Sequence, residues 1–245
     1  YLNTFAKSLA PSLRISYMVL PPHLLEKWRR DFWFYSSTVP ALEQYTLASF
    51  LSEGRFEQHL SRARNRYRAL RDQVLEALEA LTEQYETVIP IVSELTAFTD
   101  TRFGTSDALM ERLEDLTGQE VLCDIPSVEP IGPKGLLDVL VIAPATGNTI
   151  AKLAAGITDT AVTMAAKAHL RNGRPVVIAM ASNDGLAAGA RNIGELLVRK
   201  HYYFVPFGQD DPVKKPCSLV ADFSKLSETV DAALQGMQIQ PLLLR

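Results

Sequence analysis

The sequence predicts an α/β protein, in which a parallel sheet carries helices on both faces and follows a mainly helical amino-terminal segment. Beyond about residue 80, short and nearly all-apolar segments alternate with helical patterns, which is typical of parallel sheets buried on both sides. Before residue 80, hydrophobic residues recur at every third or fourth position, which is the helical period. With 245 residues, 47% of them hydrophobic, the chain can bury a substantial core.

The first part of the chain combines short strands with long helices. Residues 1–5 and 15–20 favour strands, and Pro21-Pro22 opens a helix through about Tyr35 because proline suits the first helical position. A second helix is expected from Ala41 to Glu53 and a third from Phe56 to about Thr82. The many arginines of this third helix could bind RNA or could form a solvated face interleaved with acidic residues, and we favour the solvated face.

The second part alternates strands and helices. The predicted strands are residues 87–92, 139–143, 175–181 and 202–207. The predicted helices are residues 106–116, 149–156, 162–170, 186–199 and 226–234. Ligands of parallel sheets bind at the carboxyl ends of the strands. Loops of small polar residues are expected at those ends, over residues 96–104, 144–149, 181–185 and 207–216.

Composition argues against several classes of function. A net charge of −3 and a pI near 5.9 disfavour nucleic acid or an anionic membrane as a partner. No apolar run reaches the roughly 18 residues of a membrane span, and no signal-peptide pattern stands at Tyr1. Cys123 and Cys217 lie far apart, which suggests reduced thiols and a cytoplasmic protein. The four histidines lack the spacing of a metal site, so we expect no bound metal.

The run from Pro144 to Gly156 carries the strongest functional signal. It follows an apolar segment and predicts a strand, a small-residue loop and the start of a helix. Backbone N–H groups and the positive end of the helix dipole would then face a phosphate or an electron-rich ring. The simpler interpretation is a helix capped by Asn148 or Thr149. Because the other polar loops also fall at strand ends, we favour the cofactor loop.

Much of the second part resembles the family of dipicolinate synthase B subunits, within the class of cysteine-decarboxylase-like flavoproteins. The resemblance covers roughly residues 74–245 and rests on Thr99–Gly104, Glu129–Lys134, Ala143–Thr149, Met164–Ala168, Ser182–Gly185, Phe204–Pro216 and Gln238–Pro241. It implies a Rossmann-like or flavodoxin-like fold, FMN as cofactor, and work alongside a protein like the A subunit of dipicolinate synthase. The implied reaction is the oxidation of dihydrodipicolinate to dipicolinate in sporulation.

The resemblance, together with the polar residues at the strand ends, predicts where the cofactor and the substrate bind. The cofactor would contact Ser93, Ala145, Thr146, Gly147, Asn148, Thr149 and Asn183. Asn148 would also be the catalytic residue that orients the flavin or the substrate. The two carboxylates of the substrate need cations, and Arg102, Lys152 and Lys167 could supply them, although each could equally be a surface charge. Asn183 has a second interpretation, because Asn183-Asp184-Gly185 also favours a turn.

One feature of the family is missing. Its members begin with a strand and a glycine-rich loop that holds the flavin phosphate, but Gly54 is the only glycine here before Gly104. Hydroxyl groups of Ser93 or Thr96 could hold a phosphate instead. The absence leaves open a non-catalytic remnant or interaction module that cannot hold flavin.

The amino-terminal part resembles a fragment of the aminotransferase-like domain of MocR-type regulators, on residues 3–17, 37–45 and the helix after Gly54. In that pattern Lys7 forms the Schiff base with pyridoxal phosphate and Arg14 pairs with its phosphate. Other parts of such a site are missing, so we favour an ordinary solvated lysine. We therefore expect an aminotransferase-like fragment over residues 1–73 and a flavoprotein-like domain over residues 74–245, assembled as a homo-oligomer.

Overall fold

The computed structural model describes residues 1–5, 9, 13–100 and 104–244, and it gives only the backbone of residues 63, 64, 66 and 67. The chain divides into two compact units, Tyr1–Ala69 and Leu70–Arg245. One long helix, α3 (Arg55–Gln84), contributes residues to both units.

The first unit confirms the predicted mixture of short strands and helices. Its two strands, β1 (Leu2–Thr4) and β2 (Ser16–Met18), pair in antiparallel fashion. Helix α1 spans Pro22–Asp31 and α2 spans Ala41–Ser52. Helix α1 therefore ends about four residues before the predicted Tyr35, where Phe32 leaves the helical conformation. Lys7, the proposed Schiff-base lysine, lies outside the described residues.

Among the described residues, the second unit contains the five helices that the sequence predicts and three short helices, of four or five residues, that it does not. They are α4 (Glu94–Phe98), α5 (Ser106–Thr117), α6 (Ile125–Val128), α7 (Ile131–Lys134), α8 (Gly147–Ala155), α9 (Ala161–Leu170), α10 (Ala190–Leu197) and α11 (Leu226–Leu234). Helix α5 shows why the agreement is close: the Thr105 side chain caps its amino end and Gly118 ends it with a φ of 63°. Helix α10 starts four residues later than predicted.

The sheet of the second unit is mixed rather than wholly parallel. Its strands are β3 (Leu140–Ala145), β4 (Val176–Ser182), β5 (Tyr202–Phe204), β6 (Phe207–Asp211) and β7 (Lys215–Ala221). Strand β4 pairs in parallel with β3 and with β5. The last two residues of β4 pair in antiparallel fashion with β7, which in turn pairs with β6. The helices and this sheet give the α/β fold that the sequence predicts.

Two predictions about strands were wrong. Residues 207–216 form most of the β6–β7 hairpin rather than a loop, since the Asp211 carboxylate accepts the Lys214 N–H at 3.0 Å and closes a tight turn. Residues 87–92 form no strand, although their sequence favours one. Among the described residues they form a single β-bridge, between Ile91 and Leu122. A strand needs a continuous partner to form a ladder, and a single bridge does not provide one.

The core of the second unit is built around β4. The side chains of Val176, Val177, Ile178, Ala179 and Met180 are all fully buried, as expected for a central strand in a parallel arrangement. Helices α8, α9 and α11 contribute apolar side chains to the same cluster. Among the described residues, no helix combines the length and the apolar character that crossing a bilayer requires.

His169, near the end of α9, is buried against the start of β4. Its side chain is only 1% exposed, and its Nε2 lies 3.0 Å from the carbonyl oxygen of Pro175. Because a carbonyl can only accept, the neutral ring must carry its proton on Nε2. Burial lowers the pKa of His169, an effect that the hydrogen bond to Pro175 opposes.

We expect the free energy of unfolding to decrease as the pH falls below about 6.5. His169 takes up a proton near that pH in the unfolded chain, whereas its lowered pKa keeps it neutral in the folded chain. Stability is therefore complete above the pKa of His169 in the unfolded chain. It is lost as the pH falls from that pKa toward the lower pKa of His169 in the folded chain. Urea unfolding between pH 7.5 and 5.5 measures this slope. His169→Gln should reduce this slope, whereas His201→Asn, at an exposed histidine, should leave it unchanged. Equal slopes in the two variants would show that His169 is not the group responsible.

Candidate functional site

The turn between β3 and α8 has the strand–turn–helix form that the sequence predicts. Thr146 caps the helix, since its Oγ1 accepts the Thr149 N–H at 3.4 Å and lies 3.2 Å from the Thr149 hydroxyl. The cap is thus Thr146 and not Asn148 or Thr149, which corrects the simpler interpretation of this run. The T-x-x-T spacing, in which a threonine precedes the first helical residue, could have identified it.

The surface of this turn offers small and polar groups to solvent. Pro144, Thr146 and Asn148 are exposed, whereas Ala145 is fully buried and anchors the turn to the core. The first N–H groups of a helix have no partner within it. Asn148 makes no side-chain hydrogen bond to another described residue. The turn therefore presents free amide groups beside small side chains, as a wall for a flat ligand requires.

A second turn, at the carboxyl end of β4, packs directly against the first. A Cβ placed on Gly147 would lie 2.8 Å from the Ser182 Oγ and 2.9 Å from the Asp184 Oδ1. The Ser182 hydroxyl, 7% exposed, donates to that carboxylate at 2.6 Å. Glycine at position 147 thus lets the two turns meet. Sequence reasoning did not single out Ser182 or Asp184 for this contact.

Asn183 lies between these two residues and is exposed. The chain then turns, because the Asp184 carbonyl accepts the N–H groups of Ala187 at 2.9 Å and Gly189 at 3.1 Å. The turn interpretation of this stretch therefore holds, and Asn183 nevertheless stands beside the Gly147 turn.

Ser93 is placed differently from the other proposed cofactor residues. It caps the short helix α4, where its Oγ accepts the Thr96 N–H at 3.3 Å and lies 3.0 Å from the Thr96 hydroxyl. No hydrogen bond among the described residues joins Ser93 to the Gly147 turn. The two hydroxyl groups predicted to hold a phosphate thus bond to each other.

Two of the three proposed substrate cations, Lys152 and Lys167, lie on different helices. Lys152 lies in the last turn of α8 and forms an ion pair with Asp159 at 2.8 Å, and its ammonium group lowers the pKa of that carboxyl. Lys167 lies on α9 and is exposed. Arg102 falls outside the described residues.

One cavity of the second unit lies away from the Gly147 turn. A cavity of about 440 Å³ is lined by Ala154, Ala155, Arg191, Asn192 and Glu195, at the other end of α8. In the described part of the chain, no group of three histidine, cysteine, aspartate or glutamate side chains could hold a metal ion.

Comparison with known proteins identifies the region that carries this surface. Residues 60–200 match the model of the flavoprotein family. The dipicolinate synthase B subunit of Bacillus subtilis is 45% identical over 171 residues, which are 70% of this chain and 86% of that protein. The crystal structure of the dipicolinate synthase B subunit from Bacillus halodurans is 44% identical, with a TM-score of 0.65, and the match covers 70% of this chain and 88% of that one.

A separate segment is similar to transcriptional regulators. The HTH-type regulator YdeL of Bacillus subtilis is 48% identical over 79 residues, and the regulatory protein MocR of Rhizobium meliloti is 45% identical over 78 residues. These matches span 32% of this chain but only 17% and 16% of the two regulators. By the larger match, the chain belongs to the flavoprotein family as a homologue of the dipicolinate synthase B subunit.

Proposed function

We propose that the chain is a flavin-binding oxidoreductase subunit that uses FMN to oxidise dihydrodipicolinate to dipicolinate. The observation that carries the proposal is the exposed turn of residues 144–149, which lies at the end of a buried strand within the region matched to flavoproteins. This turn has the small side chains and free amide groups that a flavin ring needs to approach main chain. The proposed domain that holds it is residues 74–245.

The proposed ring site consists of Thr146, Gly147, Asn148 and Thr149, supported from beneath by the buried Ala145, together with Asn183 from the neighbouring turn. Its chemistry fits the ring. The Asn148 amide is exposed and unbonded among the described residues, so it can donate to a ring oxygen or nitrogen or orient the substrate. The Ser182–Asp184 hydrogen bond holds the second turn in place behind Gly147.

The phosphate end of the ligand fits less completely. Ser93 is the proposed phosphate ligand, and it would have to exchange its hydrogen bond with Thr96 for one with the phosphate. The N–H groups that open α8 offer a second set of donors for an anion. We propose that a neighbouring polypeptide completes this end of the site.

The reaction removes two electrons and two protons from the substrate, and the bound flavin supplies the acceptor for a hydride. The residues of this chain bind and orient the substrate. Its two carboxylates need cations, for which we propose Arg102, Lys152 and Lys167. Lys152 must then leave or share its ion pair with Asp159.

We propose that the partner is a protein like the A subunit of dipicolinate synthase, within a cytoplasmic homo-oligomer that acts in sporulation. The similarity to the B subunit of that enzyme, over 86% of its length, supports this assignment. For residues 1–73 we propose no activity of their own, only descent from an aminotransferase-like domain.

A second candidate function is a non-catalytic interaction module that keeps the fold but binds no flavin. The mutual hydrogen bond of Ser93 and Thr96 favours it, because those hydroxyl groups are already satisfied without a phosphate.

Titration of the purified full chain with FMN separates the two candidates. The proposal predicts quenched flavin fluorescence, absorption bands near roughly 370 and 450 nm that stay with the protein on gel filtration, and loss of the second band when dihydrodipicolinate is added without oxygen. Asn148→Ala should slow that loss, and the control variant Asn192→Ala, at a half-buried asparagine of α10, should not. A folded chain that leaves FMN free in solution supports the interaction module and contradicts the oxidoreductase.

A further inference from the structure

The outer edge of β3 is a row of backbone groups without a partner strand in the described residues. Strand β3 pairs with β4 over Leu140, Val141 and Ile142, and the Leu140 N–H bonds to the Pro175 carbonyl on the β4 side. Because backbone groups alternate in direction along a strand, the N–H and C=O groups of Val141 and Ala143 point to the other side. No hydrogen bond from another described residue reaches them.

The other edges of this sheet are covered by the chain itself. The outer edge of β6 is bonded by the carboxyl-terminal segment, through Phe207 N–H to the Leu242 carbonyl at 3.0 Å and Leu244 N–H to the Phe207 carbonyl at 2.8 Å. The edge of β5 is bonded by one side chain, since the Gln238 amide accepts the Phe204 N–H and donates to the Phe204 carbonyl, each at 2.7 Å. Within this five-stranded sheet, the outer edge of β3 is the exception among the described strands.

Strand β3 also has the composition of an interior strand. Its residues LVIAPA contain no charged side chain, and Leu140, Ile142 and Ala145 are buried while Val141 and Ala143 are half-buried. Natural edge strands are usually blocked by lysine, by inward-pointing charges or by a covering segment. Pro144 lies only at the end of β3, so residues 139–143 remain able to pair.

A second extended segment with few partners lies against the same core. Residues 87–92 favour a strand by sequence, and Val88 and Ile91 pack against the cluster that contains Leu140 and Ile142. Their main-chain bonding to Leu122 is confined to Pro90 and Val92. The core thus carries two strand-like segments whose ladders are incomplete.

We propose that the outer edge of β3 accepts an extended segment of another polypeptide as an additional parallel strand. An uncharged, β-branched segment of about five residues matches the length and the apolar character of residues 139–143. Parallel pairing is inferred from the apolar side chains on both faces of β3, which are typical of strands inside parallel sheets. A second copy that used the same edge about a two-fold axis would pair in antiparallel fashion, and is not the occupant.

Amide hydrogen exchange of the full chain tests the edge itself. In dilute protein without a guest strand, the Val141 and Ala143 amides should exchange at least roughly tenfold faster than the Leu140 and Ile142 amides, which bond to β4. Equal protection of all four amides would show that the edge is already covered and would overturn the proposal.

The guest strand is tested with a synthetic peptide that copies residues 175–182, flanked by lysines for solubility. This sequence is chosen because β4 already pairs in parallel with β3 on its inner side. The peptide should slow exchange at Val141 and Ala143 roughly tenfold, and a version N-methylated at alternate residues should not, since it lacks the donors of a ladder.

Three outcomes would overturn this assignment: no protection by the peptide, equal protection by the N-methylated control, or protection without peptide that grows with protein concentration and accompanies a dimer. None of these measurements uses a flavin. Failure of FMN binding and failure of strand pairing are therefore separate results.

Discussion

Gly147→Ala is expected to weaken FMN binding about tenfold and to destabilise the chain by about 1–2 kcal/mol. The new Cβ would lie 2.8 Å from the Ser182 Oγ and 2.9 Å from the Asp184 Oδ1. Either the turn moves away from β4, or the Ser182 hydroxyl rotates and gives up its 2.6 Å bond to Asp184. Both outcomes disturb the proposed ring wall. Fluorescence titration with FMN and urea unfolding measure the two effects.

Gly194→Ala is the matched control. Gly194 lies within α10, and a Cβ there meets nothing within 4 Å. Alanine inside a helix should raise stability by roughly 0.5–1 kcal/mol and leave FMN binding unchanged. The double variant Gly147→Ala, Ser182→Ala should lose less stability than the sum of its single changes, because one of the two close contacts is removed. Strictly additive losses would contradict the proposed contact between the turns.

Gln238→Leu is expected to destabilise the folded chain by about 2–4 kcal/mol. The Gln238 side chain bonds both the N–H and the carbonyl of Phe204, each at 2.7 Å, and Phe204 is fully buried. Leucine has nearly the same size but leaves both backbone groups without partners, and each unsatisfied group costs about 1–3 kcal/mol. Urea unfolding followed by far-ultraviolet circular dichroism measures the loss.

Gln235→Leu serves as its control, because Gln235 is exposed beyond the end of α11. A change there should stay within about 0.5 kcal/mol. A loss below about 1 kcal/mol in Gln238→Leu would mean that water replaces the amide, and that Gln238 does not cover the edge of β5.

The helices could be predicted closely because their signals are local. Helix α11 begins and ends at the predicted residues Leu226 and Leu234, and the end of α8 follows from Gly156, which adopts a φ of 71°. Strands depend on partners that are distant in sequence, so residues 87–92 have the right composition and yet form no ladder. The β6–β7 hairpin was missed because its turn, from Asp210 to Lys215, has the polar composition of a loop.

The site could be predicted only in part. The strand–turn–helix at residues 144–149 follows from an apolar run before a small-residue turn. The contact of this turn with Ser182 and Asp184 could not be predicted, because it depends on the register of β3 against β4. The proposed roles of Lys152 and Lys167 rest on their charge alone. The ion pair of Lys152 with Asp159 is visible only in the folded structure.

A crystal structure of the full chain grown with FMN is the decisive test of flavin binding at residues 144–149. We expect the isoalloxazine ring in van der Waals contact, at about 3.5–4 Å, with the main chain of this turn, and the Asn148 amide within hydrogen-bonding distance of the ring or the substrate. Flavin bound elsewhere on the molecule, or crystals without flavin in which other side chains cover this turn, would contradict it.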